Sequence, residues 1–244
     1  MRRVALSAWL CVALAGCDEG SSDTCAAAND ELSVVAVAVD NGSRIRAEID
    51  FEKGDRTGTP APLAVCGEEV LTIAGQEPTT TEKADRIVYS ATLPTDEARE
   101  VEFRLERAET DAVVITVPVP PAFDIVAPID DEDVSRSQEL ILQWDPPLDG
   151  SELRVSVEEE IGYGLCVITE AGEHHYKTRA GVPVPDTGTW TIPAGVIASG
   201  NAEGTCDAFY TLRRVLRSNY PDSLSPGGFI EGRVLRSVQI NSVP

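Results

Sequence analysis

The sequence predicts an all-β protein built of two tandem antiparallel β-sandwiches. Three observations carry that reading. Apolar residues recur with a period of two in many short segments, turn-forming residues separate those segments at short intervals, and no segment sustains a helical period. Composition agrees: 42% hydrophobic and 25% charged residues are a globular balance, and 19 Gly and 16 Pro in 244 residues favour many turns. The length suits one to two domains, each able to bury its own core. A formal charge of −21 argues against a nucleic-acid partner, since a polyanion is repelled over most of the surface.

The strands follow in order. Leu32–Val39 is the first, and Asn41-Gly42 turns it into the second. Ser43–Glu52 sets Ile45, Ala47, Ile49 and Phe51 on one face and charged residues on the other, as a sheet with one wet face requires. Glu69–Ala74, Arg86–Leu93, Arg99–Arg107 and Ala112–Val119 complete the first set. Val117-Pro118-Val119-Pro120-Pro121 then reads as a stiff connector. Beyond it come Glu139–Trp144, Glu152–Glu158, Tyr163–Thr169, Thr189–Ile192, Cys206–Arg213 and Phe229–Ile240. They are punctuated by Asp145-Pro146-Pro147, Asp149-Gly150, Pro185-Asp186-Thr187-Gly188 and Ser225-Pro226-Gly227-Gly228. The expected domains are residues 31–121 and 122–244.

The N-terminus carries a separate signal. Arg2 and Arg3 precede an apolar run, Val4–Leu14, broken only by Ser7. It is shorter than the roughly 20 residues a membrane-spanning helix needs, and suits the apolar core of a secretory signal. The run ends in Leu14-Ala15-Gly16-Cys17, which resembles the signal peptide of bacterial lipoproteins. The resemblance implies removal of residues 1–16 and acylation of Cys17, with palmitate-type chains anchoring the protein to a membrane. Residues 17–30 then form a lipidated tether. The implied location is the cell envelope, facing the periplasm or the exterior, with the leaflet left open.

Cys11 departs with the signal peptide and Cys17 takes lipid, leaving Cys25, Cys66, Cys166 and Cys206. Four cysteines in an exported chain read as two disulfides with three possible connectivities. The wide gap between Cys66 and Cys166 favours Cys25–Cys66 and Cys166–Cys206. Each bridge closes a loop of about forty residues, worth roughly 4 kcal/mol in the chain-entropy account. A metal site or catalytic thiol is the alternative, and no C-x-x-C spacing supports it.

The second domain resembles fibronectin type III and related immunoglobulin-like modules. Leu140-Ile141-Leu142-Gln143-Trp144-Asp145-Pro146-Pro147 is similar to a B strand with its core Trp, Trp190–Gly195 to an E strand and corner, and Ala208-Phe209-Tyr210-Thr211-Leu212 to an F strand with its buried Tyr. Disulfides and a long stretch between Trp144 and Pro185 depart from that pattern. The first domain is similar to the same class by pattern only. The whole resembles exported lipoproteins with tandem immunoglobulin-like domains, a class without an assigned activity.

Chemistry-bearing residues are few. His174 and His175, with Glu170 and Glu173, suggest a transition-metal site, but adjacent strand residues point to opposite faces. A Ser-His-Asp triad would need one of them, and no G-x-S-x-G accompanies it. Asp130-Asp131-Glu132-Asp133 and Asp145 offer calcium its preferred oxygens without the EF-hand spacing, and a solvated acidic loop needs no ion. Glu158-Glu159-Glu160 reads as a solvated strand end. Trp144 and Trp190 suit a sugar platform or a core, and their strand positions favour the core. There is no phosphate-cradling loop and no basic patch. The reading is a non-catalytic surface or periplasmic interaction or adhesion module without cofactor, catalytic residue or metal, bound to the membrane through Cys17, its protein or glycan partner unidentified. The alternative is a carbohydrate-binding or hydrolytic accessory lipoprotein.

Cys17→Ser is expected to leave the precursor unprocessed and unlipidated, as read by mass spectrometry and detergent-phase partitioning. Normal processing with unchanged partitioning would rule out lipid on Cys17.

Overall fold

The computed structural model describes residues 23–59, 61–95, 99–159, 166–168, 176, 181–199 and 204–244, with backbone only at 159, 166–168 and 197–199. Two single-turn 3-10 segments, Thr24–Ala26 and Asn29–Glu31, precede the strands. The first seven strands are β1 (Leu32–Asp40), β2 (Ile45–Lys53), β3 (Val70–Ile73), β4 (Thr79–Glu82), β5 (Ile87–Leu93), β6 (Glu100–Glu106) and β7 (Val113–Pro118). The remainder are β8 (Asp124–Ala127), β9 (Glu132–Ser135), β10 (Leu140–Asp145), β11 (Glu152–Glu159), β12 (Cys166–Ile168), β13 (Val182–Pro185), β14 (Thr189–Ile192), β15 (Ile197–Ser199), β16 (Cys206–Arg217) and β17 (Phe229–Val243). The protein is all-β.

Strands β1-β2-β5-β4 form one layer of the first half and β3-β6-β7 the other. In strand letters this is A-B-E-D against C-F-G, the order of an immunoglobulin constant-type sandwich. In the second half β14-β10-β8 packs with β13-β11-β16-β17, and β12 and β15 form a separate two-stranded sheet. The segments similar to B and E strands (β10, β14) pair with each other, Leu142 opposite Trp190, while the F-like β16 lies in the other layer. The alternation in sequence becomes the core directly. Ile45, Ala47, Ile49 and Phe51 of β2 are buried, as are Val101, Phe103 and Leu105 of β6 and Leu140, Leu142 and Trp144 of β10.

The expected boundary at Pro118–Pro121 separates β7 from β8, yet strand pairing crosses it. β17 runs parallel to β1 from Val35↔Phe229 to Asp40↔Val234, joining the two larger layers into one nine-stranded sheet. The same strand pairs with β16 over Cys206–Arg217 and with β9 at its end. The connector is fixed in place: Val119 N–H donates to the Arg99 carbonyl at 2.7 Å, and Arg99 Nη1 to the Pro120 carbonyl at 3.0 Å. Gly232 of β17 faces the Pro118 carbonyl so closely that a Cβ there would overlap it. The β16–β17 loop also reaches back, with Tyr220 Oη accepting from Val34 N–H at 2.8 Å and Ser225 N–H donating to the Leu32 carbonyl at 2.8 Å.

Some elements depart from expectation. The expected tether of residues 17–30 is already part of the fold from Asp23, which bridges to Ala64, and Thr24 and Ala27 are buried. β4 is exposed at all four residues and so carries no apolar alternation. β9 lies within the acidic loop, and β13 contains Pro183 and Pro185, which an edge strand tolerates.

Trp144→Ala is expected to cost about 3–5 kcal/mol, through lost packing and a residual cavity. Because β17 belongs to both halves, urea unfolding followed by far-UV circular dichroism and by tryptophan fluorescence should give coincident transitions that shift together.

Candidate functional site

The strand register creates a feature on the outer face of the large sheet. Along β16, Ala208, Tyr210, Leu212 and Arg214 turn inward, whereas Thr211, Arg213, Val215 and Arg217 face outward. Arg213 lies opposite Arg154 of β11 and Leu235 of β17; Val215 lies opposite Arg233, and Arg217 opposite Glu231. Four guanidinium groups from three adjacent strands thus surround one carboxylate. Arg217 Nε donates to Glu231 Oε2 at 3.0 Å, Arg233 Nε donates to Glu231 Oε1, and Arg154 Nη2 meets Glu152 Oε1 at 2.9 Å. Two adjoining depressions of about 460 and 320 Å³ share Arg154 and Arg213 and form a groove. Phe229 and Val215 line one end, and Thr211, Ser156 and Leu235 the other.

Burial alone would raise the Glu231 pKa, but hydrogen bonds and charge from Arg233 and Arg217 outweigh it and hold the carboxyl below its usual value. Arg213 is pulled below the usual guanidinium value by burial and by the like charges of Arg233 and Arg154, with Glu231 opposing. The groove is therefore a compressed group of cations on a protein whose formal charge is −21.

Other ionised clusters are closed structural networks. Arg214 and Asp186, both fully buried, pair through Nε–Oδ2 at 2.5 Å and Nη2–Oδ1 at 3.0 Å. Arg214 Nη1 and Nη2 also donate to the Pro121 and Pro146 carbonyls, each at 2.8 Å. Trp144 Nε1 and Ser151 Oγ complete the Asp186 carboxylate at 2.7 and 2.8 Å. The Phe123 ring lies 4.7 Å beneath Arg214 and 5.9 Å from Arg236, whose Nη1 is 3.4 Å from buried Asp40. At the other end of the molecule, Arg107 donates from Nε to Glu69, from Nη1 to Asn29, and from Nη2 to the Thr24 and Ala27 carbonyls at 2.5–2.7 Å. It borders a cavity of about 390 Å³ beside the Cys25–Cys66 bridge.

Of the residues singled out in sequence, Cys25 and Cys66 are bridged, with Cα atoms 5.8 Å apart. Cys206 is disulfide-bonded; Cys166 lies in β12, where the backbone alone is described. Cys17, Glu160, Glu170, Glu173, His174 and His175 lie outside the described residues. In the acidic loop, Asp130 accepts from Gln239 N–H at 2.9 Å, Glu132 from Ile129 N–H at 2.9 Å, and Asp133 from Asn241 Nδ2 at 3.2 Å. Asp130 and Asp133 thus hold the loop against β17, and Glu132 closes it on itself. Among the described residues one group has metal-binding proximity, Asp23 with Cys25 and Cys66, and its two sulfurs are in the disulfide. Trp144 is buried, and Trp190 packs against the core with Nε1 donating to Tyr176 Oη at 3.2 Å.

Sequence reasoning misses the arginine face and states that no basic patch exists. Arg154 is far from Arg213, Arg217 and Arg233 in sequence, and the alternation of Arg213, Val215 and Arg217 reads as an ordinary wet strand face. The signal lies in the pairing of β11 with β16.

No protein family matches the chain, and no curated protein matches it. The crystal structure of DIP-gamma IG1+IG2 is similar at 9% identity over 88% of this chain and 99% of that one, with a TM-score of 0.24.

Burial works to raise the Asp186 pKa, but hydrogen bonds from Arg214, Trp144 and Ser151, and the Arg214 charge, bring it below its ordinary 3.8. Its stabilisation is therefore complete above about pH 4 and declines as pH falls through the folded value. Asp186→Asn is expected to destabilise by about 3–5 kcal/mol at pH 7, leaving Arg214 buried without a counter-charge. Denaturation from pH 7 to pH 3 should show a smaller acid-dependent loss in the variant than in the parent protein.

Proposed function

We propose that the protein is an exported binding module of the cell envelope, anchored by lipid on Cys17, which engages its partner without catalysis through the arginine groove. The observation that carries this reading is the groove itself. Four arginines gather on the outer face of a strongly acidic chain, and such a concentration of the minority charge suits recognition of an anionic partner. Support for a non-catalytic role comes from four further buried ionised groups. Asp186, Arg214, Glu69 and Arg107 each direct their polar atoms to internal partners. Export is supported by the Cys25–Cys66 disulfide, a bond that persists in oxidising compartments. A second bridge, Cys166–Cys206, belongs to the same proposal and is testable by non-reducing peptide mapping. Lipidation rests on the Leu14-Ala15-Gly16-Cys17 resemblance. Six residue steps separate Cys17 from Asp23, a span of at most roughly 22 Å, so a lipid on Cys17 would hold Asp23 close to its membrane.

Protein and glycan arrays probed with the full chain and with the double variant Arg217→Glu, Arg233→Glu test the reading. Array signals present for the parent and lost in the variant are expected. Signals unchanged by reversing both charges would remove the groove from the function.

A further inference from the structure

We infer that the arginine groove binds an acidic polysaccharide whose repeating charge is a carboxylate, a uronate polymer lying along β16 and β17. The inference rests on the binding-module reading and adds the chemistry of the ligand. Charge comes first. Two guanidinium groups, Arg217 and Arg233, share the single carboxylate of Glu231, so this part of the groove carries surplus positive charge and favours an anion. Geometry narrows the anion. Arg217 and Arg233 direct Nε to Glu231, and their Nη atoms have no hydrogen bond or ion pair among the described residues. A guanidinium edge of this kind takes a carboxylate through two parallel bonds. Glu231 is itself a carboxylate held between two of these arginines, an internal example of the group the groove accommodates.

The uncharged surroundings suit a sugar chain. Phe229 is 41% exposed at one end of the groove and offers an apolar platform to a ring face. Ser156 and Thr211 place hydroxyl groups at the other end, and Thr211 shares a 2.8 Å hydrogen bond with Ser237 across the strands. From Arg217 to Thr211 the face extends roughly 20 Å along β16, a length for an oligomer rather than a single sugar.

The test titrates the full chain with polygalacturonate at low ionic strength, with dextran, dextran sulfate and duplex DNA as comparison polymers. Polygalacturonate is expected to bind, with affinity falling as salt rises. The double variant Arg217→Ala, Arg233→Ala should bind at least about tenfold more weakly, and the double Lys variant should recover only part of the loss because the planar fork is gone. Arg104→Ala, which alters an exposed arginine on another sheet, should change nothing. Urea midpoints are measured alongside, and the double Lys variant, which keeps positive charge beside the buried Glu231, decides the comparison if the double Ala variant is less stable. The inference is overturned if polygalacturonate does not bind, if the double Ala variant binds as tightly as the parent, if dextran binds equally well, or if dextran sulfate or DNA binds more tightly. A protein partner captured by the parent and lost in the double Ala variant, without polygalacturonate binding, would overturn this inference and leave the binding-module reading standing. Shortening of the polymer during incubation would instead overturn the non-catalytic reading.

Discussion

The parallel pairing of β17 with β1 is the constraint on which the arrangement of the molecule depends. One 15-residue strand serves as the last strand of the second sandwich and as the neighbour of the first strand of the first. Two sandwiches joined in sequence by a proline-rich connector thereby share a hydrogen-bonded sheet. The connector must then pass close over β17, and Gly232 is the residue that leaves room for the Pro118 carbonyl. The groove on the outer face exists because the same strand presents Glu231 and Arg233 next to Arg213 and Arg217 of β16.

Beneath that sheet, the junction is held by ionised groups enclosed in protein. Arg214 ties the connector at Pro121 to the turn at Pro146 and to Asp186, and it and Arg236 both lie near the Phe123 ring. A buried ion pair contributes little net stability against an apolar replacement, because desolvating both charges offsets their attraction. Its directional bonds, however, can be satisfied in one arrangement of β10, β16 and the connector. The network therefore serves geometry more than energy.

Much of the fold was legible where local pattern decides it. The alternation from Leu140 to Trp144 placed that tryptophan in the core, and the spacing of Cys25 and Cys66 anticipated their bridge. The Asn41-Gly42 signal found the β1–β2 hairpin, although Asn41 closes a four-residue loop, accepting from Ser43 and Arg44 N–H through Oδ1. What depends on distant pairing was not legible. Nothing in Val35–Asp40 announces Phe229–Val234 as its neighbour, since either strand would pair as well with many apolar partners. β4 lacks an apolar face and β9 offers the core Val134 alone, so both depend on the strands they border. The arginine groove is hidden for the same reason, because its members become neighbours only once register is set.

The direction of β1 and β17 has a mechanical consequence. One strand stands at the start of the folded body and the other at its end, and they run parallel. A force drawing the two termini apart pulls β1 from its leading end and β17 from its trailing end. The load then lies along the strands, as shear, and the six residue pairs from Val35↔Phe229 to Asp40↔Val234 resist it together. An antiparallel hairpin pulled open at its mouth fails one pair at a time. Forced unfolding is governed by the barrier to the first rupture, and here that barrier involves a whole strand, so a body tethered at one terminus and tugged at the other should yield abruptly and late.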